Sequence, residues 1–317
     1  MRTIRTTLVA SLFLAVFFTA TASAQNDFSK VEIKTIKVTD SVYMLQGAGG
    51  NIGVSVGEDG VLVIDDQFLP LAPKIRAAIK SISEKPIRFL VNTHYHGDHP
   101  GGNVDFGKDS TIIAHDNVRK RLMSGQTGGP VKSDPAPKTA LPIITFDHAL
   151  TVHVNGEDIK ALHFANGHTD GDSIIFFPKA NVVHMGDDFV TYGLPYVDAS
   201  GGGSLMGMVE NVEKSMAMLP DDVKIIPGHG NLCSKADVKK FVDMLRDCIN
   251  LVAAAKKKGM SLDQMKKDNV LAKYEELGKA FVKTNDFIEL IYNELTSNKT
   301  GMKYINHGHA NEKPSGL

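Results

Sequence analysis

Three histidines and one aspartate lie within the six residues from His94 to His99. His94 and His96 are two residues apart, so on an extended backbone both side chains leave the same face and converge on one cation. Asp98 and His99 follow on the turn, where they are better placed to reach a second ion than to crowd the first. Imidazole suits zinc or iron, whereas calcium and magnesium prefer oxygen ligands. The segment predicts two metal ions, with zinc expected; the alternative is a solvated histidine-rich loop.

Further donors come later in the chain, each where a predicted strand ends in a glycine-rich turn. His168 would complete a three-histidine set with His94 and His96, and Asp187 and His229 stand in similar turns. Two metals bridged by one carboxylate need about this many ligands. The predicted ligands are His94, His96, Asp98, His99, His168, Asp187 and His229.

The elements around these donors predict an α/β (α+β) fold. Short β-like runs over residues 31–65 indicate an antiparallel meander, and helical spacing follows at 69–83. A buried strand at 87–92 then delivers the histidine segment at its C-terminal end, where open α/β sheets place their sites. Further strands are predicted at 111–114, 143–146, 150–154, 158–164, 173–177, 181–184 and 223–226, and helices at 115–123 and 205–219.

The chain divides into four predicted parts. Residues 1–24 have the positive start, apolar run and small-residue cleavage site of a signal peptide, so we expect a periplasmic or secreted protein. Residues 25–233 form the metal-binding domain. Residues 234–296 form a C-terminal helical extension, with Ser234 and Ser261 as helix caps, and residues 297–317 form a polar tail.

Charge and composition bear on the expected partners. The formal net charge of −1 offers no basic face for nucleic acid, and no later apolar stretch is long enough to cross a membrane after signal removal. A small-molecule substrate is therefore the expected partner. The two cysteines, Cys233 and Cys248, are too few for a disulfide framework, and Cys248 is predicted to lie in the core.

Two other segments lie near the predicted site. The charge run from Arg119 to Arg121 is predicted to be a solvated helix face. Residues 124–142 are rich in Gly, Pro, Lys and Ser and indicate a surface loop that could wall the substrate. Asp170 and Asp172 are expected to shape the turn after His168 rather than to bind metal.

The order and spacing of the donors resemble the metallo-β-lactamase superfamily, in its β-lactamase-like or glyoxalase II-like branch. The His-x-His-x-Asp-His signature of the family is matched by residues 94–99, and the resemblance runs from about residue 31 to residue 234. It implies a four-layer αββα sandwich with the metals at one edge, a bridging Asp187, and Asp65 as a supporting acidic residue. Val190 stands where one group of β-lactamases has a substrate-binding lysine, which disfavours β-lactams.

These observations predict an exported dinuclear zinc hydrolase. Three neutral histidines leave the charge of the first zinc uncancelled, so the pKa of its water falls from about 15.7 to roughly 7. The resulting hydroxide would attack an ester, lactone, thioester or amide carbonyl, with Asp98 as the catalytic residue that orients it. The alternatives are a mononuclear iron thiol oxygenase of the same fold and a non-catalytic exported zinc-binding module.

Overall fold

The structure is a computed structural model that describes residues 27–125 and 133–297. The predicted signal peptide at 1–24, the polar tail beyond Ser297 and residues 126–132 of the predicted surface loop lie outside the described residues. Within the described ranges, thirteen strands form two sheets, one of seven strands and one of six.

The first sheet begins with the predicted antiparallel meander and continues with parallel strands. Its order is β1-β2-β3-β4-β5-β6-β7, antiparallel from β1 to β4 and parallel from β4 to β7. The C-terminal ends of β4, β5 and β6 therefore meet at one edge. The strands are β1 (Lys34–Lys37), β2 (Val42–Gln46), β3 (Ile52–Gly57), β4 (Gly60–Ile64), β5 (Ile87–Val91), β6 (Thr111–His115) and β7 (Ile144–Phe146).

The second sheet has the order β13-β12-β11-β10-β9-β8 and is antiparallel except for the parallel pair β11 and β12. Asn155 and Gly156 join β8 to β9 with φ angles of 57° and 68°, as a tight hairpin turn requires. The strands are β8 (Ala149–Val154), β9 (Glu157–His163), β10 (Ser173–Phe177), β11 (Val182–His184), β12 (Lys224–Ile226) and β13 (Cys233–Ser234).

The long helices begin and end close to their predicted positions. Ser234 forms a capping box with Asp237, and the Ser261 side chain accepts a hydrogen bond from the Gln264 backbone. The sequence prediction missed the short strand β13 and the one-turn helix α2. The helices are α1 (Ala72–Ile82), α2 (Asn103–Phe106), α3 (Asp116–Ser124), α4 (Leu205–Ala217), α5 (Lys235–Lys257), α6 (Leu262–Lys267) and α7 (Thr284–Ser297).

Side-chain alternation along the strands builds the layers. In β4, Ile64 points into the core between the sheets with Phe177 of β10, whereas Val63 points outward and packs with Ile75 of α1. The outer face of the second sheet is covered by α4, α5 and α7. The fold is therefore the four-layer αββα sandwich that the resemblance implied.

The C-terminal helices pack on the second sheet as one body with it. Val209 of α4, Leu245 of α5 and Ile288 of α7 lie in the same buried cluster as Ile174 of β10. The boundary at residue 233 was predicted from the change to long helices that begins there. It stays a prediction, because residues from both sides of it lie in this one hydrophobic cluster.

Two further properties follow from the described residues. Cys233 and Cys248 are free thiols, and Cys248 is buried on α5, where burial raises its pKa to about 12. In the described ranges, none of the helices combines the length and apolarity needed to cross a bilayer.

The expectation of a solvated charge run on α3 was wrong for two of its three residues. Arg119 donates a hydrogen bond to the Pro142 carbonyl, and Arg121 pairs with Asp170 at 2.7 Å. Lys120 is exposed as expected. A charge run read from sequence does not reveal acceptors that other segments bring to the helix.

Candidate metal centre

The predicted donors converge at one edge of the two sheets. The histidine segment follows β5, Asp187 follows β11 and His229 follows β12, while His168 lies in the connection from β9 to β10. Because β4 and β5 are parallel, as are β11 and β12, their C-terminal ends open toward the same edge. All seven side chains take part in clusters whose ligand atoms lie within 4.8 Å of one another.

The first donor set consists of His94, His96 and His168. His96 Nδ1 lies 2.8 Å from His168 Nε2. Because the other nitrogen of each ring donates a hydrogen bond, His96 Nε2 to Asp198 and His168 Nδ1 to the Tyr196 carbonyl, the two facing nitrogens both carry lone pairs when the rings are neutral. His94 Nε2 is buried and has no hydrogen-bond partner among the described residues. Buried polar atoms are rarely left unpartnered, so this arrangement fits a cation held by the three nitrogens.

The other ring nitrogen of each histidine in this set is held from behind. His168 Nδ1 donates to the Tyr196 carbonyl at 2.8 Å, and His94 Nδ1 lies 3.1 Å from Thr93 Oγ1. A carbonyl only accepts, so the proton of His168 resides on Nδ1 and Nε2 presents a lone pair to the site. Burial lowers the pKa of His94 well below its usual range and, with His96, lowers the pKa of His168 to about 4. The neutral state is the one that coordinates metal.

The second donor set consists of Asp98, His99 and His229. Asp98 Oδ2 lies 3.2 Å from His229 Nε2 and 3.8 Å from His99 Nε2. Asp98 is the most accessible of these donors, with 30% of its side chain exposed, whereas the His99 side chain is fully buried. The second set therefore faces the solvent more than the first.

The Asp187 carboxylate lies between the two sets. Its Oδ1 is 3.2 Å from His99 Nε2, and its Oδ2 is 3.5 Å from His229 Nε2 and 3.6 Å from His168 Nε2. One carboxylate thus reaches histidine nitrogens of both sets. This is the position from which a carboxylate can bridge two ions, the arrangement predicted for Asp187.

Charge in the second set is balanced between imidazoles and carboxylates. Burial works to lower the pKa of His229, but Asp187 and Asp98 outweigh it and raise that pKa to about 9. Burial also opposes ionisation of Asp187, yet His229 and His99 hold its pKa well below the usual range. Protonated imidazoles here supply the positive charge that a cation supplies when it binds, and binding releases those protons.

Asp65 fixes the second set from behind, where the resemblance placed a supporting acidic residue. It directly follows β4, and its Oδ2 lies 2.8 Å from His99 Nδ1. It also accepts hydrogen bonds from the Thr93 backbone at 2.8 Å and the Thr93 hydroxyl at 2.7 Å. Its φ of 60° is a conformation that Asp and Asn tolerate better than most residues.

Asp198 is a supporting residue that the sequence analysis missed. Its Oδ2 accepts from His96 Nε2 at 3.0 Å and from the Tyr95 hydroxyl at 2.5 Å, and its Oδ1 accepts from Ser200 Oγ at 2.6 Å. Although burial disfavours its charge, these hydrogen bonds hold the pKa of Asp198 well below the usual range. Its position thirty residues after His168 carries no local signal, and only the folded chain reveals its role.

Replacing Asp198 with asparagine is expected to weaken metal binding at the first set about tenfold. A neutral amide oxygen accepts a weaker hydrogen bond from His96 Nε2 than the charged carboxylate does, so the tautomer that presents Nδ1 to the site is less stabilised. The measurement is a zinc competition titration against a chromophoric chelator. Ser200→Ala is the control, because it removes a contact to Oδ1 and leaves Oδ2 in place. Equal affinities for Asp198→Asn and the wild type would contradict this role.

Two glycines allow the backbone to approach the donors closely. A Cβ at Gly50 would lie 2.2 Å from His99 Cε1, and a Cβ at Gly228 would lie 2.0 Å from Asp187 Oδ1. Non-bonded atoms do not approach this closely, so a larger residue at either position must displace the donor. The glycines in these turns are therefore part of the site.

Gly50→Ala is expected to lower metal affinity at the second set about tenfold, because the added methyl group displaces His99. Gly97→Ala is a matched control within the histidine segment, since its Cβ would meet nothing within 4 Å. Metal content after dialysis, measured by plasma mass spectrometry, checks both variants. Retention of the wild-type content in Gly50→Ala would show that His99 does not depend on this close approach.

The chain belongs to the metallo-β-lactamase superfamily. The family profile described as "Metallo-beta-lactamase superfamily" matches residues 46–229, which include all seven donors. The fold is similar to that of a metallo-beta-lactamase from Pontibacter korlensis, with a TM-score of 0.58, 14% identity, and coverage of 68% of this chain and 99% of the other. The αββα sandwich and the metal-binding type of site thus agree with the family.

Two relatives with named activities match parts of the chain. One is the 2,4-dinitroanisole O-demethylase subunit alpha of Nocardioides sp. (strain JS1661), 27% identical over 138 residues, which are 43% of this chain and 40% of that protein. The other is the atrochrysone carboxyl ACP thioesterase of Aspergillus terreus, 22% identical over 179 residues, which are 56% of this chain and 50% of that protein. The chain spans half or less of the length of these relatives.

Proposed function

We propose that the protein is an exported dinuclear zinc hydrolase that cleaves an acyl bond of a small molecule. The observation that carries the proposal is the Asp187 carboxylate, which lies 3.2 to 3.6 Å from histidine nitrogens of both donor sets. A mononuclear oxygenase or a zinc-binding module has no need of a carboxylate shared in this way. Export is proposed from the signal-peptide pattern of residues 1–24.

His94, His96 and His168 would hold the first ion, and Asp98, His99 and His229 the second, with Asp187 between them. Metal ions held there would lower the pKa of water to about 7 and would polarise a carbonyl oxygen. The neutral imidazoles of the first set leave the ionic charge uncancelled. Asp98 is accessible and ionised at neutral pH, because His99 and His229 outweigh burial and lower its pKa. It is therefore suited to orient the attacking water and accept its proton.

The substrate class follows from this chemistry as an ester, lactone, thioester or amide. The similarity to a protein named as an ACP thioesterase gives thioesters the first place in a screen. Val190 occupies the position at which one group of β-lactamases has a lysine, so β-lactams take the last place.

A rate screen on the purified mature protein tests the proposal. Thioester, lactone, aryl ester and β-lactam substrates are compared before and after removal of metal with dipicolinate, and again after addition of zinc. Turnover of at least one class that is lost with the metal and restored by zinc is expected. Oxygen consumption with a thiol and iron would overturn the proposal in favour of the oxygenase, and zinc binding without turnover of any class would favour the binding module.

A further inference from the structure

Three aromatic side chains form a continuous wall beside the donors. The aromatic wall consists of Tyr192 and Tyr196, which follow Asp187 in the chain, and Phe281, which precedes α7. The Phe281 ring centroid lies 6.4 Å from that of Tyr192 and 5.9 Å from that of Tyr196, with interplanar angles of 86° and 76°. These are favourable edge-to-face distances, so the three rings present one apolar surface.

The inner end of the aromatic wall touches both donor sets. The Tyr192 ring centroid lies 5.6 Å from that of His229 in the second set. The Tyr196 ring centroid lies 5.8 Å from that of His96 and 5.9 Å from that of His168 in the first set. A group lying along the wall would therefore have its reacting atom beside the predicted metals.

The outer end of the aromatic wall is open to solvent. Phe281 is 61% exposed, the highest fraction of any phenylalanine among the described residues. Exposed apolar rings that adjoin a functional site mark ligand-binding surfaces more often than isolated ones do. A planar apolar group placed on Phe281 would remove both surfaces from water.

The aromatic wall is also held in a fixed conformation. The Leu194 backbone donates to the Leu277 carbonyl at 3.4 Å, and a Cβ at Gly193 would lie 2.4 Å from that same oxygen. Gly193 has a φ of 147°, so the tyrosine segment depends on glycine to pack this closely against the C-terminal extension. Lys283 Nζ donates to the Ala280 carbonyl next to Phe281. A binding surface fixed in advance loses less conformational entropy when a ligand binds.

We propose that Phe281 is a specificity-determining residue and that the aromatic wall selects substrates with an aryl group next to the scissile acyl bond. This inference rests on the proposed hydrolytic function for its kinetic part. The C-terminal extension thus contributes to substrate choice, although it supplies none of the seven donors.

The kinetic test compares two substrates of the class that the rate screen identifies, one with a phenylacetyl group and one with an acetyl group on the same leaving group. The wild type is expected to favour the aryl substrate about tenfold in kcat/KM, mainly through KM, and Phe281→Ala to lose this preference. Phe281→Tyr should restore it, since it keeps the ring. Met218→Ala is the control, because Met218 is 46% exposed beside the start of β12, away from the donors. An unchanged preference in Phe281→Ala would overturn the inference.

A binding test separates this inference from the proposed function. Calorimetry on the zinc-loaded full chain compares phenylacetate with acetate, neither of which can be hydrolysed. In the wild type, phenylacetate is expected to bind about tenfold more tightly than acetate. In Phe281→Ala, phenylacetate and acetate are expected to bind with equal affinity. If phenylacetate binding depends on Phe281 while no acyl substrate is turned over, the proposed hydrolytic function is contradicted and the role of the aromatic wall is supported. If acyl substrates are turned over and phenylacetate binding does not depend on Phe281, the role of the aromatic wall is contradicted and the proposed hydrolytic function is supported.

Discussion

Replacing Asp187 with asparagine is expected to lower kcat/KM by about a thousandfold while leaving the fold intact. The carboxylate lies close to His99, His229 and His168, so its charge supports both donor sets at once. An amide of the same size keeps the packing but cannot bridge two cations with its charge. Steady-state kinetics with the best substrate, metal content and circular dichroism together measure the effect.

Asp188→Asn is the matched control for this variant. Asp188 is also buried, and its Oδ1 accepts from the His168 backbone at 3.2 Å, a bond that an asparagine oxygen can accept equally well. Burial raises the pKa of Asp188 to about 7, so the neutral replacement resembles a state that the native side chain already populates. Activity in Asp188→Asn should stay within about threefold of the wild type. Full activity in Asp187→Asn would contradict the bridging role of Asp187.

Asp65→Asn is expected to weaken zinc binding at the second donor set by about a hundredfold and to destabilise the fold by about 1–3 kcal/mol. Asp65 accepts hydrogen bonds from the Thr93 backbone, the Thr93 hydroxyl and His99 Nδ1, all of them buried. The NH2 group of asparagine would face one of these three donor groups, which would then have no acceptor for its hydrogen bond. Zinc competition titration and urea denaturation of the metal-free chain report the two effects separately.

Asp66→Asn is the neighbouring control. Asp66 is fully buried, and its Oδ1 accepts from the Gly102 backbone at 2.7 Å. Burial, with the Asp65 carboxylate nearby, raises the pKa of Asp66 well above its usual range, so removing its charge costs little. Stability should be unchanged or higher. A loss in Asp66→Asn as large as in Asp65→Asn would attribute the effect to general disturbance of this turn rather than to support of His99.

Sequence reasoning predicted the donors because their signals are local. Residue type and spacing indicate four of the donors, His94, His96, Asp98 and His99. The same pattern of a strand followed by a turn indicates the other three, His168, Asp187 and His229. The supporting residues have no such signal. Asp198 reaches His96 from a segment about a hundred residues away, and Gly50 matters only because folding brings its backbone against His99.

The same division holds for the fold. Short β-like runs separated by turns rich in Gly and Asp predicted the meander of β1 to β4, and helical periodicity predicted α5 and α7. The two-residue strand β13 and the single turn of α2 are too short to show a period. Phe281 was missed as a site residue because its partners, Tyr192 and Tyr196, come from a segment far from it in the chain.

The most direct measurement of the central claim is the metal content of the purified mature protein, determined by plasma mass spectrometry alongside the protein concentration. Two donor sets joined by Asp187 predict close to two zinc ions per chain, and one or fewer in Asp187→Asn. A single iron per chain in the wild type, or two zinc ions that remain in Asp187→Asn, would contradict the account.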